Sequence, residues 1–175
     1  MKLTESFQNQ AQVFLAEMPI AFPLDEIEQE LRHKKILKPS ILSAEFKEIW
    51  QAHLKAFVSQ LWSRYCIERK IDSKEAQEVF FRTVLDDYAE KKNLQGASDF
   101  SEALYAANAK AEQEPLFSIL VHFFKKLGME ASIKAEDVSE PIQWLASAWE
   151  GYSNHLDNEF DDFIARLRVD GKMRA

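Results

Sequence analysis

The chain has 175 residues, of which 46% are hydrophobic and 29% charged, and its formal net charge is −7. That balance excludes a disordered or fibrous polypeptide, because disorder needs few apolar groups to bury. Four glycines, five prolines and one cysteine count against an all-β sandwich, a glycine-rich nucleotide loop and a multi-cysteine zinc or redox site.

The glycines, Gly96, Gly128, Gly151 and Gly171, lie far apart. Cys66 has no partner in the chain, which fits a reducing compartment. The first twenty residues lack the basic, apolar and small-residue succession of a secretion signal. The most apolar run, Leu116 to Phe124, falls short of the roughly 20 residues that cross a bilayer. A cytoplasmic protein without a membrane partner is expected. Charge is unevenly spread: residues 1–70 carry +1, residues 71–128 carry −3 and residues 129–175 carry −5. Phosphate backbones are bound by clustered Lys and Arg, so nucleic acid is not an expected partner.

Helical periodicity runs through nearly the whole chain. Leu3, Phe7, Ala11, Phe14 and Met18 form one stripe, a helix over 1–18 that packs on the bundle or projects as an arm. Pro19 and Pro23 end it. A second helix begins near Leu24, with Asp25 and Glu28 spaced as a capping box. It is acidic first and basic last, from Arg32 to Lys38, which complements the helix dipole. That basic run is also a weak candidate for phosphate. The third helix, from about 41 to 70, is the longest, and its wide apolar face from Phe46 to Tyr65 suggests a central strut. Asp72 and Glu75 open a fourth, with Phe80, Phe81, Val84 and Tyr88 on it, closed between Asn93 and Gly96.

Ser98 or Asp99 opens a fifth helix with an alanine-rich seam. Pro115 breaks or kinks the pattern, which resumes from Leu116 to Leu127 and closes at Gly128. A second long helix is expected over about 140–168, on the stripe Ile142, Leu145, Trp149, Tyr152, Leu156, Phe160, Phe163 and Leu167. Residues 169–175 read as a frayed tail. There is no solenoid repeat and no long linker. The expected fold is therefore all-α: a single-domain antiparallel bundle of about six or seven helices over residues 1–175.

Four histidines could carry chemistry. His33 lies at a basic helix end and reads as a solvated cation. His53 borders an apolar stripe and reads as a hydrogen-bonded core residue, or less simply as a base or haem ligand. His122 is placed on the polar side of its helix. His155 shares a face with Glu159 and Asp162, a geometry open to metal. Di-iron bundles, however, use Glu-x-x-His on each of two helices, and the sequence does not supply that pair. The run Asp157 to Asp162 fails the EF-hand pattern at its sixth and twelfth positions. Cys66 sits near a helix end without the positive field that activates a thiol.

The outstanding feature is aromatic content: 13 Phe, 4 Trp and 4 Tyr. Adjacent aromatics on a helix point about 100° apart, so one stripe rarely buries both. Phe80 with Phe81, Phe123 with Phe124, and Trp144 beside the stripe of Trp149 therefore mark either central helices or an exposed interaction surface. The leading expectation is a non-enzymatic interaction or regulatory protein, binding another protein or itself as a homodimer through such a surface, without cofactor. The alternative is a bundle that binds or transforms an apolar small molecule, haem or metal, with His53, Trp50, His155 and Glu159 as residues of interest.

Overall fold

The computed structural model describes residues 11–14, 24–33, 35, 37–71, 74–108, 115–128, 156 and 158–165. All regular structure among them is α-helical: α1 Leu24–His33, α2 Ser43–Glu68, α3 Lys74–Gln77, α4 Val79–Glu90, α5 Leu94–Asn108 and α6 Pro115–Lys126. Residues 11–14 and 158–165 are helical too. The all-α bundle expected from periodicity is the fold. Among the described residues no helix is long and apolar enough to cross a membrane. Most of the expected 1–18 arm, the first half of the 140–168 helix and the 169–175 tail lie outside the described residues.

The 26 residues of α2 span about 39 Å. From Ala52 to Ser59 only Lys55 is not buried. A helix apolar on all sides must be enclosed by others, and α2 touches α1, α3, α4, α5 and α6. The neighbours run antiparallel. Lys55 meets Tyr88 while Trp62 meets Phe80, which sets α4 against α2. Phe81 meets Phe100 while Tyr88 lies against Gly96, which sets α5 against α4. Asp99 meets Lys126 and Glu102 meets His122, which sets α6 against α5.

Two aromatic nests sit along α2. At its N-terminal end Phe123 of α6 packs edge-on to Trp50 at 5.5 Å and against Phe46 at 6.4 Å. At its C-terminal end Trp62 takes Phe80, Phe160 and Phe163 edge-on at 5.2, 5.2 and 5.3 Å. The Trp62 indole N–H donates to the Ala76 carbonyl at 2.6 Å, so this large side chain is buried without an orphaned donor.

Several helix boundaries differ from the expected ones, each for a local reason. Asp25 lies inside the first turn of α1 rather than capping it. Glu28 instead accepts from Arg32 at 3.0 Å and from the Ser43 hydroxyl at 2.5 Å, and Arg32 also donates to the Ile41 carbonyl at 2.6 Å. The guanidinium is thus spent on tying α1 to the start of α2, and the candidate phosphate run loses its first member. The expected fourth helix is two pieces, α3 and α4, joined at Glu78. Asn93 starts α5 rather than ending α4: its side-chain oxygen accepts the Gly96 backbone N–H at 2.9 Å, the N-cap geometry. Gly96 lies inside the helix, and the position is glycine because a Cβ there would stand 2.4 Å from Tyr88 Cε1. Pro115 is the first described residue of α6, and the antiparallel contacts of α5 and α6 make them two helices.

Three helices end on lysine where glycine is usual. Lys35, Lys70 and Lys92 have φ of 58°, 58° and 54°. At the ends of α2 and α4 the bonds are those of a Schellman motif: Ile71 N–H to Cys66 O and Lys70 N–H to Ile67 O, then Asn93 N–H to Tyr88 O and Lys92 N–H to Ala89 O. The expected Gly128 terminator has φ 101° and donates to Lys125 O at 3.0 Å. A left-handed residue with a Cβ costs about 1–2 kcal/mol, partly offset by the ~0.5–1 kcal/mol that glycine loses from its freer unfolded state. Lys70→Gly and Lys92→Gly are each expected to stabilise the protein by up to about 1 kcal/mol in urea denaturation, and Lys→Ala at the same positions to give no gain.

Candidate functional site

The aromatic pairs resolve toward the core. Phe80, Phe123 and Phe124 are fully buried, and only Phe81 reaches solvent, at 38% exposure. This corrects the expected surface. α4 and α6 each have neighbours on two sides, so Phe80 turns to Trp62 while Phe81 rolls over Phe100 at 5.8 Å. Phe124 packs on Phe123 at 5.4 Å. Trp144 lies outside the described residues, as do Trp149 and His155. Glu159 is half-buried and Asp162 exposed, so the proposed histidine–carboxylate face is not described as a unit. Among the described residues no three His, Cys, Asp or Glu side chains are placed to hold a metal ion.

His53 and His122, placed apart by the sequence reading, meet. His53 on α2 is fully buried, with Nδ1 2.7 Å from the Ile49 carbonyl and Nε2 2.8 Å from His122 Nδ1. A carbonyl only accepts, so His53 carries its proton on Nδ1, and Nε2 accepts from the His122 Nδ1–H. Both nitrogens are engaged, so His53 is not open to haem or metal. Burial holds it neutral, pushing its pKa down to about 3. His122 is half-buried rather than exposed, a second correction.

From His122 a polar chain leads to the surface between α5 and α6. Its Nε2 stands 3.5 Å from a Glu102 oxygen. The Lys126 ammonium binds Glu102 at 2.9 Å and Asp99 at 3.3 Å, and Gln95 donates to Asp99 at 2.9 Å. The hydrogen bond from Lys126 draws the Glu102 carboxyl below its ordinary range, and the bond to Glu102 raises Lys126. Burial lowers His122, against the pull of Glu102. Asp99 is buried, and a buried carboxylate must be paired; Lys126 supplies the charge. The sequence signal was available: Asp99 and Glu102 interrupt the alanine seam of α5 on the side that meets α6.

A second polar locus lies on the other flank of α2. Lys55 is half-buried and sets its ammonium over the Tyr88 ring, 4.6 Å from the centroid. Burial lowers its pKa. Tyr88 is 3% exposed, and its hydroxyl finds no hydrogen-bond partner. The two side chains belong to the wall of a cleft of about 550 Å³ between α2 and α4, which Gln12 and Asn93 also line. A lysine inside the otherwise buried run Ala52 to Ser59 was the sequence signal for this locus.

The remaining candidates are structural. Cys66 is buried, and burial pushes its thiol up to about 12. Tyr65 donates to Asp161 at 2.5 Å and Arg69 approaches the same oxygen at 3.5 Å, which ties α2 to residues 158–165. His33 is exposed at the end of α1.

A buried neutral histidine makes stability depend on pH with a definite sign. Below the unfolded value of 6.5 the unfolded chain binds a proton that folded His53 refuses, so the native state loses stability as pH falls from about 6.5 to about 3. The loss approaches about 1.4 kcal/mol per pH unit. Urea midpoints at pH 7, 6 and 5 are expected to fall steadily, with a shallower slope in His53→Gln. Native Cys66 is expected to resist an aromatic disulfide reagent at pH 8 until the chain is unfolded.

No protein-family model matches the chain, and no curated protein or solved structure matches it.

Proposed function

We propose that the chain is a non-catalytic interaction protein of the cytoplasm that binds another protein, or a second copy of itself, through the outward face of α5 and the adjoining edge of α4. The observation that carries this reading is a line of exposed side chains. Leu94 is 83% exposed and Tyr105 76%. Eleven residues apart on a helix, they differ by only roughly 20° in direction. Ser101 stands between them, and Ala97 and Leu104 are half-buried toward α4, where Phe81 breaks the surface. Large apolar groups aligned on one face mark contact sites more often than the same groups scattered singly.

Two further observations favour binding over catalysis. The groups best suited to nucleophilic or acid–base chemistry, Cys66 and His53, are buried within the core. The net charge of −7 disfavours a phosphate backbone as the partner. Of the four phenylalanines in the expected surface, this stripe keeps Phe81, the one that reaches solvent; Trp144 lies outside the described residues.

The test is Leu94→Glu combined with Tyr105→Glu, two changes on exposed positions that leave the core untouched. Native mass spectrometry and co-purification from cell extract are expected to show a complex, homomeric or heteromeric, with the unmodified protein. The double variant, with unchanged circular dichroism, is expected to weaken that complex at least about tenfold. An equally stable complex from the variant, or a strictly monomeric wild type that captures nothing, overturns the reading.

A further inference from the structure

The junction of α2, α5 and α6 holds a hydrogen-bond chain whose proton positions are fixed at one end and open at the other. The Ile49 carbonyl only accepts, so His53 keeps its proton on Nδ1. Its bare Nε2 takes the His122 Nδ1–H at 2.8 Å. A neutral imidazole has one N–H. His122 has spent that proton on His53, so its own Nε2 carries a lone pair. That nitrogen stands 3.5 Å from a Glu102 carboxylate oxygen. Two acceptors meet there with no hydrogen between them, and such a contact is repulsive.

The charges of the cluster show the same deficit of one proton. Among the described residues α5 brings two carboxylates, Asp99 and Glu102. Lys126 of α6 brings one ammonium that serves both, at 3.3 and 2.9 Å. Lys125, also on α6, is exposed, and α2 contributes only the neutral His53. Glu102 and Asp99 favour a proton on His122, while Lys126 and Lys125 oppose it. His53 is barred from taking that proton, because it is enclosed and both its nitrogens are committed. His122 keeps 19% of its side chain in solvent and Glu102 46%, so a proton reaches them without the core opening.

We propose that His122 is a proton-operated clamp between α5 and α6: in mild acid its Nε2 takes a proton from solvent and donates it to Glu102, joining α2, α6 and α5 in one unbroken chain. In that state every acceptor from the Ile49 carbonyl to the Glu102 carboxylate has a donor opposite it, and two cations balance two carboxylates. Above the transition the chain ends at His122, and Glu102 is held by Lys126 and, more weakly, by the Ser98 hydroxyl at 3.4 Å. Neither Leu94 nor Tyr105 takes part in the chain, so the clamp operates whatever the proposed stripe binds.

The experiment is nuclear magnetic resonance of the imidazole rings in the full, isotope-labelled chain, with long-range proton–nitrogen spectra followed from about pH 8 to about pH 4. His122→Gln assigns the signals. At the alkaline end both His53 and His122 are expected as the Nδ1–H tautomer. On acidification His122 is expected to gain a proton on Nε2 while His53 stays neutral. The midpoint is expected below the ordinary histidine value, because burial outweighs the pull of Glu102. Glu102→Gln, a near-isosteric change at a largely exposed side chain, is expected to lower that midpoint further, by about 0.5–1 unit, with unchanged circular dichroism. A role for Glu102 in packing alone would leave the midpoint where it was. An Nε2–H tautomer of His122 at the alkaline end, proton uptake by His53 in its place, a His122 that stays neutral until the chain unfolds, or an unmoved midpoint in Glu102→Gln overturns the proposal.

Discussion

Enclosure of α2 is the constraint on which the rest of the structure depends. Its middle two turns are buried on every side except at Lys55. Exposing such a helix would cost about 25 cal/mol for each Å² of apolar surface left in water, so α1, α3, α4, α5 and α6 must all reach it. Once they do, α3, α4, α5 and α6 each have a second helix as neighbour. That is why Phe80, Phe123 and Phe124 are core residues, and why adjacent aromatics on α4 and α6 do not imply a docking surface.

The same enclosure fixes the polar chemistry. A helix buried all round carries its few polar side chains inward with it, and each has to be answered by a neighbour. His53 is answered by the Ile49 carbonyl and His122, and His122 in turn leads to Glu102, Lys126 and Asp99. This chain of partners explains why Asp99 tolerates burial. Lys55 rests over the face of Tyr88, a cation–π contact, and feels the carboxylates of Asp87 and Glu48 without a direct ion pair among the described residues. The two flanks of α2 therefore differ in kind: one is a hydrogen-bonded network that holds α5 and α6 together, the other a looser set of charges along the wall of a cleft.

Local capping shows the same division between what a residue prefers and what the fold demands. Asn93 prefers to cap and does so, while Lys70 and Lys92 take left-handed conformations that lysine disfavours. The Schellman bonds that follow place Ile71 and Asn93 where the next segments must begin. Ile71 is buried, and Asn93 opens α5, so packing downstream of the turn sustains the strained residue.

The sequence by itself determined the class of fold and most of its elements. Steps of three and four between apolar residues are a property of one helix and need no knowledge of its neighbours, and the long central helix was legible for that reason. Its caps were less so: Asp25 and Asn93 obey rules that several positions nearby satisfy equally well, and Gly96 reads as a terminator until Tyr88 is placed against it. The candidate site was mostly illegible. His53 and His122 are 69 positions apart, and no local pattern says that two helices bring them within hydrogen-bond distance. Whether Phe81 or Phe80 faces solvent, and whether Lys55 finds a carboxylate or a ring, are decided by which helix packs on which side. Those are properties of the tertiary arrangement, because burial and pairing belong to pairs of elements and periodicity belongs to one.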